Sequence, residues 1–401
     1  MSITHAIRKI KASVKKLRKS IAFSPEFADN HGKECCMLQK FAVTNYRGFE
    51  KRIELDLTKP RDYEFNTFAI KDRIIKNGII YGPNGSGKSN LGLAIFDIVN
   101  HLTQKWKKPD YYENFAFAGA KDVPVTFEYT FKLDEYVIEY SYSKNMVGLL
   151  VSEKLLVNTS LVFEKTQKSF FIDKSFPMEE SMRATFKENA NGASIINYIL
   201  FAYPLPENHC ILRLLKFVST MLWFKRLDEP AFIGFDTHSS NLDEYIIQNN
   251  LAEDFSSFLS EVSEQRFKFI TPKKGDKNLF CDINGAPMEF HTIASTGTNA
   301  LQLLYFWLKR MDKTSFVFID EFDAFYHFRL SRAVCRRLFE LDCQVFLTSH
   351  NTMLMTNDLL RPDCNFILNH NEIRALHDCT EKELREGHNI EKLYRGGTFT
   401  V

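Results

Sequence analysis

The sequence predicts an α/β protein built on a mixed sheet, with an antiparallel β meander and a helical insert. Three observations predict it. First, Gly82-Pro83-Asn84-Gly85-Ser86-Gly87-Lys88-Ser89 spells G-x-x-x-x-G-K-[ST]. The apolar run Gly78-Ile79-Ile80-Tyr81 precedes it, and Leu91, Ala94, Ile95, Ile98, Val99 and Leu102 follow at helical spacing. Strand, glycine loop and helix is the order a phosphate-cradling loop requires. Second, Val125-Thr126-Phe127-Glu128-Tyr129-Thr130-Phe131 and Tyr136-Val137-Ile138-Glu139-Tyr140-Ser141-Tyr142 are dense in strand-forming residues and separated by a short turn, the mark of an antiparallel meander. Third, apolar runs from Ser315 to Ile319 and from Gln344 to Thr348 flank a helical pattern from Leu330 to Leu338, so the chain returns to alternating strand and helix.

The elements divide the chain into four stretches. Residues 1–36 form a basic amphipathic helix and a linker. Ile3, Ile7, Ile10, Val14, Leu17 and Ile21 make one apolar stripe, and Arg8, Lys9, Lys11, Lys15, Lys16, Arg18 and Lys19 lie between them with no acid. Such a helix suits a solvated face of its own domain, an oligomer contact, or a surface for acidic lipid or nucleic acid. Residues 37–185 hold a nucleotide-binding lobe: a hairpin from Leu38 to Asp56 turning at Arg47-Gly48, then the loop and helix, then the meander. Residues 186–275 read as the helical insert, with Ala193 to Leu200, Cys210 to Leu222 and Leu242 to Val262 helical by pattern. Residues 276–401 form a second lobe that opens with a helix from Thr298 to about Arg310.

Bulk properties narrow the class. A chain of 401 residues has room for two or three packed units, and 37 phenylalanines call for sizeable cores or a large interface. The net charge of +2 gives no strong field for nucleic acid, so any such contact needs a local patch. Eight cysteines follow no framework and include no C-x-x-C, which suits reduced thiols in the cytoplasm. Cys364, His370, His377 and Cys379 fit no usual zinc spacing. No stretch approaches the roughly 20 apolar residues that span a bilayer, and the basic N-terminus lacks the apolar core of a secretion signal. A cytoplasmic protein with no membrane partner is expected.

The chemistry is concentrated in two halves of one constellation. Asn84, Gly85, Ser86, Gly87 and Asn90 belong to the loop that wraps a polyphosphate with backbone N–H groups, aided by the positive end of the following helix. Lys88 reaches the β- and γ-phosphates, and the Ser89 hydroxyl can bind Mg²⁺. In the second half, Phe316-Val317-Phe318-Ile319 ends in Asp320-Glu321. Asp320 is placed to hold the metal and Glu321 to direct the attacking water. Val345-Phe346-Leu347-Thr348-Ser349-His350 is a second buried strand, ending in an imidazole that can sense the γ-phosphate; the plainer reading is a strand-end histidine bonded to nearby backbone. Ser295-Thr296-Gly297-Thr298 opens a helix and offers a second anion site; the plainer reading is a capped helix. Two anion sites in one chain suggest that each nucleotide is gripped by one glycine loop and by Ser295 and Gly297 of another copy.

The order of these motifs resembles the ATP-binding-cassette ATPases of the SMC/RecF/OLD group, and within it the bacterial abortive-infection ATPases of the AbiL and RloA type. The resemblance covers roughly residues 37 to 401. It is carried by Asn45-Tyr46-Arg47-Gly48-Phe49, by Tyr81 to Leu91, by Ser295-Thr296-Gly297-Thr298, by Asp320-Glu321-Phe322-Asp323-Ala324-Phe325-Tyr326-His327, and by the tail Ile390-Glu391-Lys392-Leu393-Tyr394-Arg395-Gly396-Gly397. It implies an ABC-ATPase-like P-loop fold, Arg47 near the nucleotide, and Asp323 in a loop that communicates across a dimer. The glutamine that usually links the γ-phosphate to the lobe interface has no assigned position.

By that resemblance the chain is an ATPase using ATP and Mg²⁺. Two copies face head to tail, or build a higher homo-oligomer, with Glu321, Lys88 and His350 as the catalytic set. It serves as the sensor or regulator of a separate effector, a nuclease or toxin, in an anti-phage system triggered by a phage protein. Nucleic acid is compatible with this reading but not required. Two alternatives stand beside it: a RecF/SMC-like ATPase that clamps DNA in repair, and a scaffold that binds ATP with little turnover. No coiled-coil tract or C-x-x-C hinge interrupts the middle of the sequence, and the residues after His350 are too few for an appended nuclease.

Overall fold

The computed structural model describes residues 36–103, 109–174, 178–188, 194–224, 232–234, 241–273, 275–369 and 372–400. The basic amphipathic helix expected near the N-terminus lies outside the described residues. In chain order the strands are β1 (Cys36–Thr44), β2 (Ile53–Asp56), β3 (Ile70–Lys71), β4 (Ile74–Ile75), β5 (Asn77–Tyr81), β6 (Val125–Leu133), β7 (Tyr136–Lys144), β8 (Leu150–Val157), β9 (Ser160–Lys165), β10 (Phe170–Ile172), β11 (Leu222–Phe224), β12 (Phe232–Gly234), β13 (Phe280–Ile283), β14 (Ala286–Glu289), β15 (Phe316–Ile319), β16 (Gln344–Ser349), β17 (Asn365–Asn369) and β18 (Glu372–Ala375).

One sheet is antiparallel throughout, in the order β10-β9-β8-β7-β6-β1-β2. The expected meander therefore takes the first hairpin as two further strands, with β1 pairing along β6. β6 shows why: its residues alternate buried and half-buried along all nine positions, the period of a sheet with one face on the core. A second sheet runs β12-β11-β15-β16-β5-β17-β18. Its five central strands are parallel, and β12 and β18 flank them antiparallel. β5, β15 and β16 are buried at every residue, as expected for strands covered on both faces.

The helix Lys88–Ile95 is sandwiched between the sheets. A Cβ at Gly92 would lie 2.7 Å from the Phe318 ring and 2.8 Å from the Trp223 indole nitrogen, so only glycine lets this helix sit so close to β15 and β11. On the opposite side the Tyr129 hydroxyl of β6 donates to the carbonyls of Ala94 and Ile95 at 3.1 and 3.2 Å. Gln344 joins the sheets directly. Its side-chain oxygen accepts from Leu38 N–H at 2.6 Å, and its side-chain nitrogen donates to the carbonyls of Leu38 at 2.9 Å and Ile75 at 3.1 Å.

The middle of the chain departs from a purely helical reading. Helices occupy Ile195–Ala202, Cys210–Ser219, Leu242–Gln248 and Ala252–Ser263. Residues Leu222–Phe224, however, form β11, parallel to β15 and next to it. The helical pattern from Cys210 stops at Thr220, whose hydroxyl turns back onto the carbonyls of Lys216 and Phe217. Met221-Leu222-Trp223-Phe224 is a short apolar run that periodicity alone does not separate from a helix.

A buried ion pair anchors the antiparallel lobe. Lys144 donates to both oxygens of Asp97 at 2.5 and 2.6 Å, with the two side chains 3% and 0% exposed. Burial pushes the Asp97 carboxyl up and the Lys144 ammonium down, and each partner opposes the shift of the other. Phe127 and Tyr142 lie within cation–π range of Lys144.

Candidate nucleotide site

The parallel order β15-β16-β5 places three strand ends side by side at the carboxyl edge of the sheet, where ligands bind in open α/β folds. β5 runs into the glycine loop, β15 into Asp320-Glu321, and β16 into His350. The strand bearing the histidine thus lies between the other two, and the motifs converge although more than two hundred residues separate them.

The loop is built for an anion. The helix Lys88–Ile95 starts at Gly87 with no side-chain cap, so its first N–H groups are left for a ligand. Gly87 has φ 102°, and a Cβ there would lie 2.7 Å from the Phe49 ring; both facts demand glycine. Asn84, Gly85 and Ser89 are exposed, while Ser86 is buried with its hydroxyl lacking a partner. Lys88 is nearly fully buried. Its ammonium donates to the carbonyls of Gly82 at 2.7 Å and Pro83 at 3.1 Å, and lies 3.4 Å from His350 Nδ1. Burial pushes the Lys88 ammonium down, while Asp320 and Glu321 favour its charged form.

The acids meet this lysine from the neighbouring strand. Asp320 is buried, and burial pushes its carboxyl up; hydrogen bonds from Ser89 and Thr348 pull the other way. Its backbone N–H donates to Phe224 O of β11 at 2.9 Å. Glu321 is half-exposed, with one carboxylate oxygen 3.8 Å from His350 Nε2. With Lys88 protonated, His350 Nδ1 accepts and the imidazole proton sits on Nε2, facing Glu321. Lys88, His350 and Glu321 therefore form a continuous polar line across the three strand ends. Asp323 is held by Ser349, and burial pushes its carboxyl up against that bond.

Ser89 and Asp320 also fit Mg²⁺. The Ser89 hydroxyl acts on the Asp320 carboxyl, opposing the upward push of burial, and both side chains are the hard oxygen donors this ion takes. The fit reaches the same two residues that the sequence pattern singles out.

Arg47 and the Ser295 helix complete the set of expected positions. Arg47 has φ 50°; its guanidinium donates to the Tyr46 hydroxyl at 3.1 Å and the Tyr111 carbonyl at 3.3 Å. The turn it occupies abuts the loop: Phe49 seats on Gly87, and Gly48 faces the Asn90 amide. Ser295 caps the helix Thr296–Leu308 by accepting from Thr298 N–H at 3.1 Å. Gly297 packs under the Phe325 carbonyl, in the segment that follows Glu321. The hydrogen bonds of Ser295 go to Thr298 and Asn299; among the described residues the structure gives none from Ser295 or Gly297 to the glycine loop.

Motif reading passed over Thr348. Its hydroxyl donates to Asp320 Oδ1 at 2.5 Å and accepts from Glu321 N–H at 2.8 Å. A polar residue one turn of the strand before a site histidine was the available signal, but strand threonines are common.

The converging loop, acids and histidine at one edge of the parallel sheet mark a P-loop ATPase. A family model described as "AAA domain, putative AbiEii toxin, Type IV TA system" matches residues 79–356, more than half of the chain, and the protein belongs to this family. No curated protein matches it. Among solved structures it is similar to the SMC head domain from Thermotoga maritima, with 16% identity, 85% of this chain and 99% of that chain covered, and a TM-score of 0.41. It is also similar to the recombination mediator RecF in its ATP form, with 14% identity, 86% and 100% covered, and a TM-score of 0.40. A Pyrococcus furiosus Smc head bound to the C-terminal domain of ScpA gives 12% identity, 85% and 96% covered, and a TM-score of 0.41.

Proposed function

We propose that the protein hydrolyses ATP, with two copies closing head to tail around the nucleotide, and that this cycle regulates a separate nuclease or toxin in a bacterial anti-phage system. The observation that carries the ATPase reading is the polar line from Lys88 through His350 to Glu321, flanked by Asp320. Lys88 and the loop amides neutralise the triphosphate. Mg²⁺ held by Ser89 and Asp320 would supply further charge neutralisation at the β- and γ-phosphates. Glu321 orients a water and accepts its proton as the water oxygen attacks the γ-phosphorus. The bond to the β–γ bridging oxygen breaks, and ADP leaves with the electron pair. His350 donates from Nε2 to the transferring group.

The dimer reading is supported by the start of the Ser295 helix, which among the described residues makes no hydrogen bond to the glycine loop of its own copy. The defence role is supported by the family's description, which names a toxin of a type IV system. Steady-state phosphate release with Mg·ATP tests the reaction. Glu321→Gln is expected to retain nucleotide binding, lose turnover about 100-fold or more, and run as a dimer by light scattering with ATP. Undiminished turnover in that variant would remove the mechanism. Wild-type protein that stays monomeric with a non-hydrolysable analogue would remove the sandwich.

A further inference from the structure

Glu321 has φ 44°, in the left-handed region that residues with a Cβ seldom adopt. Such a conformation persists only where the surroundings fix it. The group that fixes it here is the Thr348 hydroxyl. It accepts from the Glu321 N–H at 2.8 Å, donates to the Asp320 carboxylate at 2.5 Å, and is fully buried on β16. One hydroxyl therefore spends its donor on one acid and its acceptor on the backbone of the next. The neighbouring Phe322 N–H donates to the Thr348 carbonyl at 3.3 Å, so the same residue holds three consecutive positions after β15.

We infer that Thr348 is a positioning residue for hydrolysis, setting both the direction of the Asp320 carboxylate and the backbone turn that aims Glu321. The inference rests on the ATP-hydrolysis reading above. Thr348 touches neither nucleotide nor water, and acts through the two acids. The hydroxyl is also the contact by which the histidine strand and the acid strand share one geometry: if β16 shifts along β15, both acids must follow. A side chain of the same shape without the hydroxyl would take the partner from the part-buried Glu321 N–H and free the Asp320 carboxylate to turn.

The test compares Thr348→Val, which keeps the shape, with Thr348→Ser, which keeps the hydroxyl. Phosphate release, fluorescent-ATP affinity with Mg²⁺ and with EDTA, and thermal melting are measured on the full chain. The expected result for Thr348→Val is a kcat reduced about 10- to 100-fold, weaker binding in Mg²⁺, and unchanged binding in EDTA. Thr348→Ser is expected to restore most of the rate. In a Glu321→Gln background, Thr348→Val should remove less turnover than in the wild type, because the part of its effect that passes through Glu321 is already lost, while the Mg²⁺-dependent weakening through Asp320 remains. A folded Thr348→Val protein with wild-type kcat overturns the inference, as does a loss that Thr348→Ser does not rescue. If the valine chain does not fold, Thr348→Cys, a weak donor of similar size, replaces it with the same expectations. Wild-type protein that releases no phosphate overturns the ATPase reading instead. The Mg²⁺-dependent loss of binding in Thr348→Val then still decides the hold on Asp320.

Discussion

Ser349 Oγ donates to Asp323 Oδ2 across 2.7 Å, and Asn351 N–H donates back to the same hydroxyl at 2.8 Å. Two successive hydroxyls of β16 thus each secure a carboxylate of the segment after β15: Thr348 takes Asp320 and Ser349 takes Asp323. Asp323 lies largely out of water, so its donor matters. Ser349→Ala should cost about 2 kcal/mol in urea denaturation, the range for a hydrogen bond to a charged group. It should also lower turnover if Asp323 communicates between copies. A cost near zero would mean that water replaces the hydroxyl.

Asp320 makes the free protein's stability depend on pH in an unusual direction. Burial raises its carboxyl pKa in the folded chain above the ordinary 3.8, so the folded state holds the proton more tightly than the unfolded one. The stability this contributes is complete below the unfolded value and is lost as pH climbs through the raised folded value. Asp320→Asn should therefore stabilise the nucleotide-free protein at neutral pH and flatten the melting temperature across that window, while abolishing turnover. A lower neutral-pH melting temperature in the variant would contradict the assignment.

The Asp97–Lys144 pair should behave as a unit. Asp97→Asn leaves a buried ammonium uncompensated, and about 3–5 kcal/mol of stability should be lost in chemical denaturation. Replacing both together, Asp97→Leu with Lys144→Met, should recover most of that loss. A double variant as unstable as the single would show that the pair stabilises by more than mutual neutralisation.

Gly92→Ala tests the seating of the phosphate-loop helix. The added methyl meets Phe318 and Trp223 well inside contact distance, and over-packing of this kind costs about 1–3 kcal/mol. Because the strain falls on the helix that carries Lys88 and Ser89, ATP affinity should fall alongside the melting temperature. An unchanged melting temperature would show that the rings give way.

The glycine loop, the paired acids and the strand-end histidine were legible in the sequence because each combines a fixed spacing with an adjacent apolar strand. What the residues could not announce were partners distant in the chain. Thr348 meets Asp320 and Glu321 across a turn, a helix and a strand, and Asp97 meets Lys144 between two different layers; each looked locally like an ordinary strand hydroxyl or a solvated charge. β11 was hidden for another reason. Its three apolar residues continue the pattern of the helix before them, and only pairing with β15 makes them a strand. The union of the first hairpin with the meander likewise depends on the β1–β6 register, which no local signal encodes.

Gln344 fastens the foot of β16 to β1 and to Ile75, while the far end of the same strand carries Thr348, Ser349 and His350. A rod riveted at its base cannot slide to absorb a push at its tip. Any displacement that phosphate loss imposes at the histidine end must therefore be relayed sideways, into the Asp320–Asp323 stretch and the Phe325 carbonyl that covers Gly297. The molecule's own framework would steer the force of each turnover toward the surface that a second copy is proposed to share.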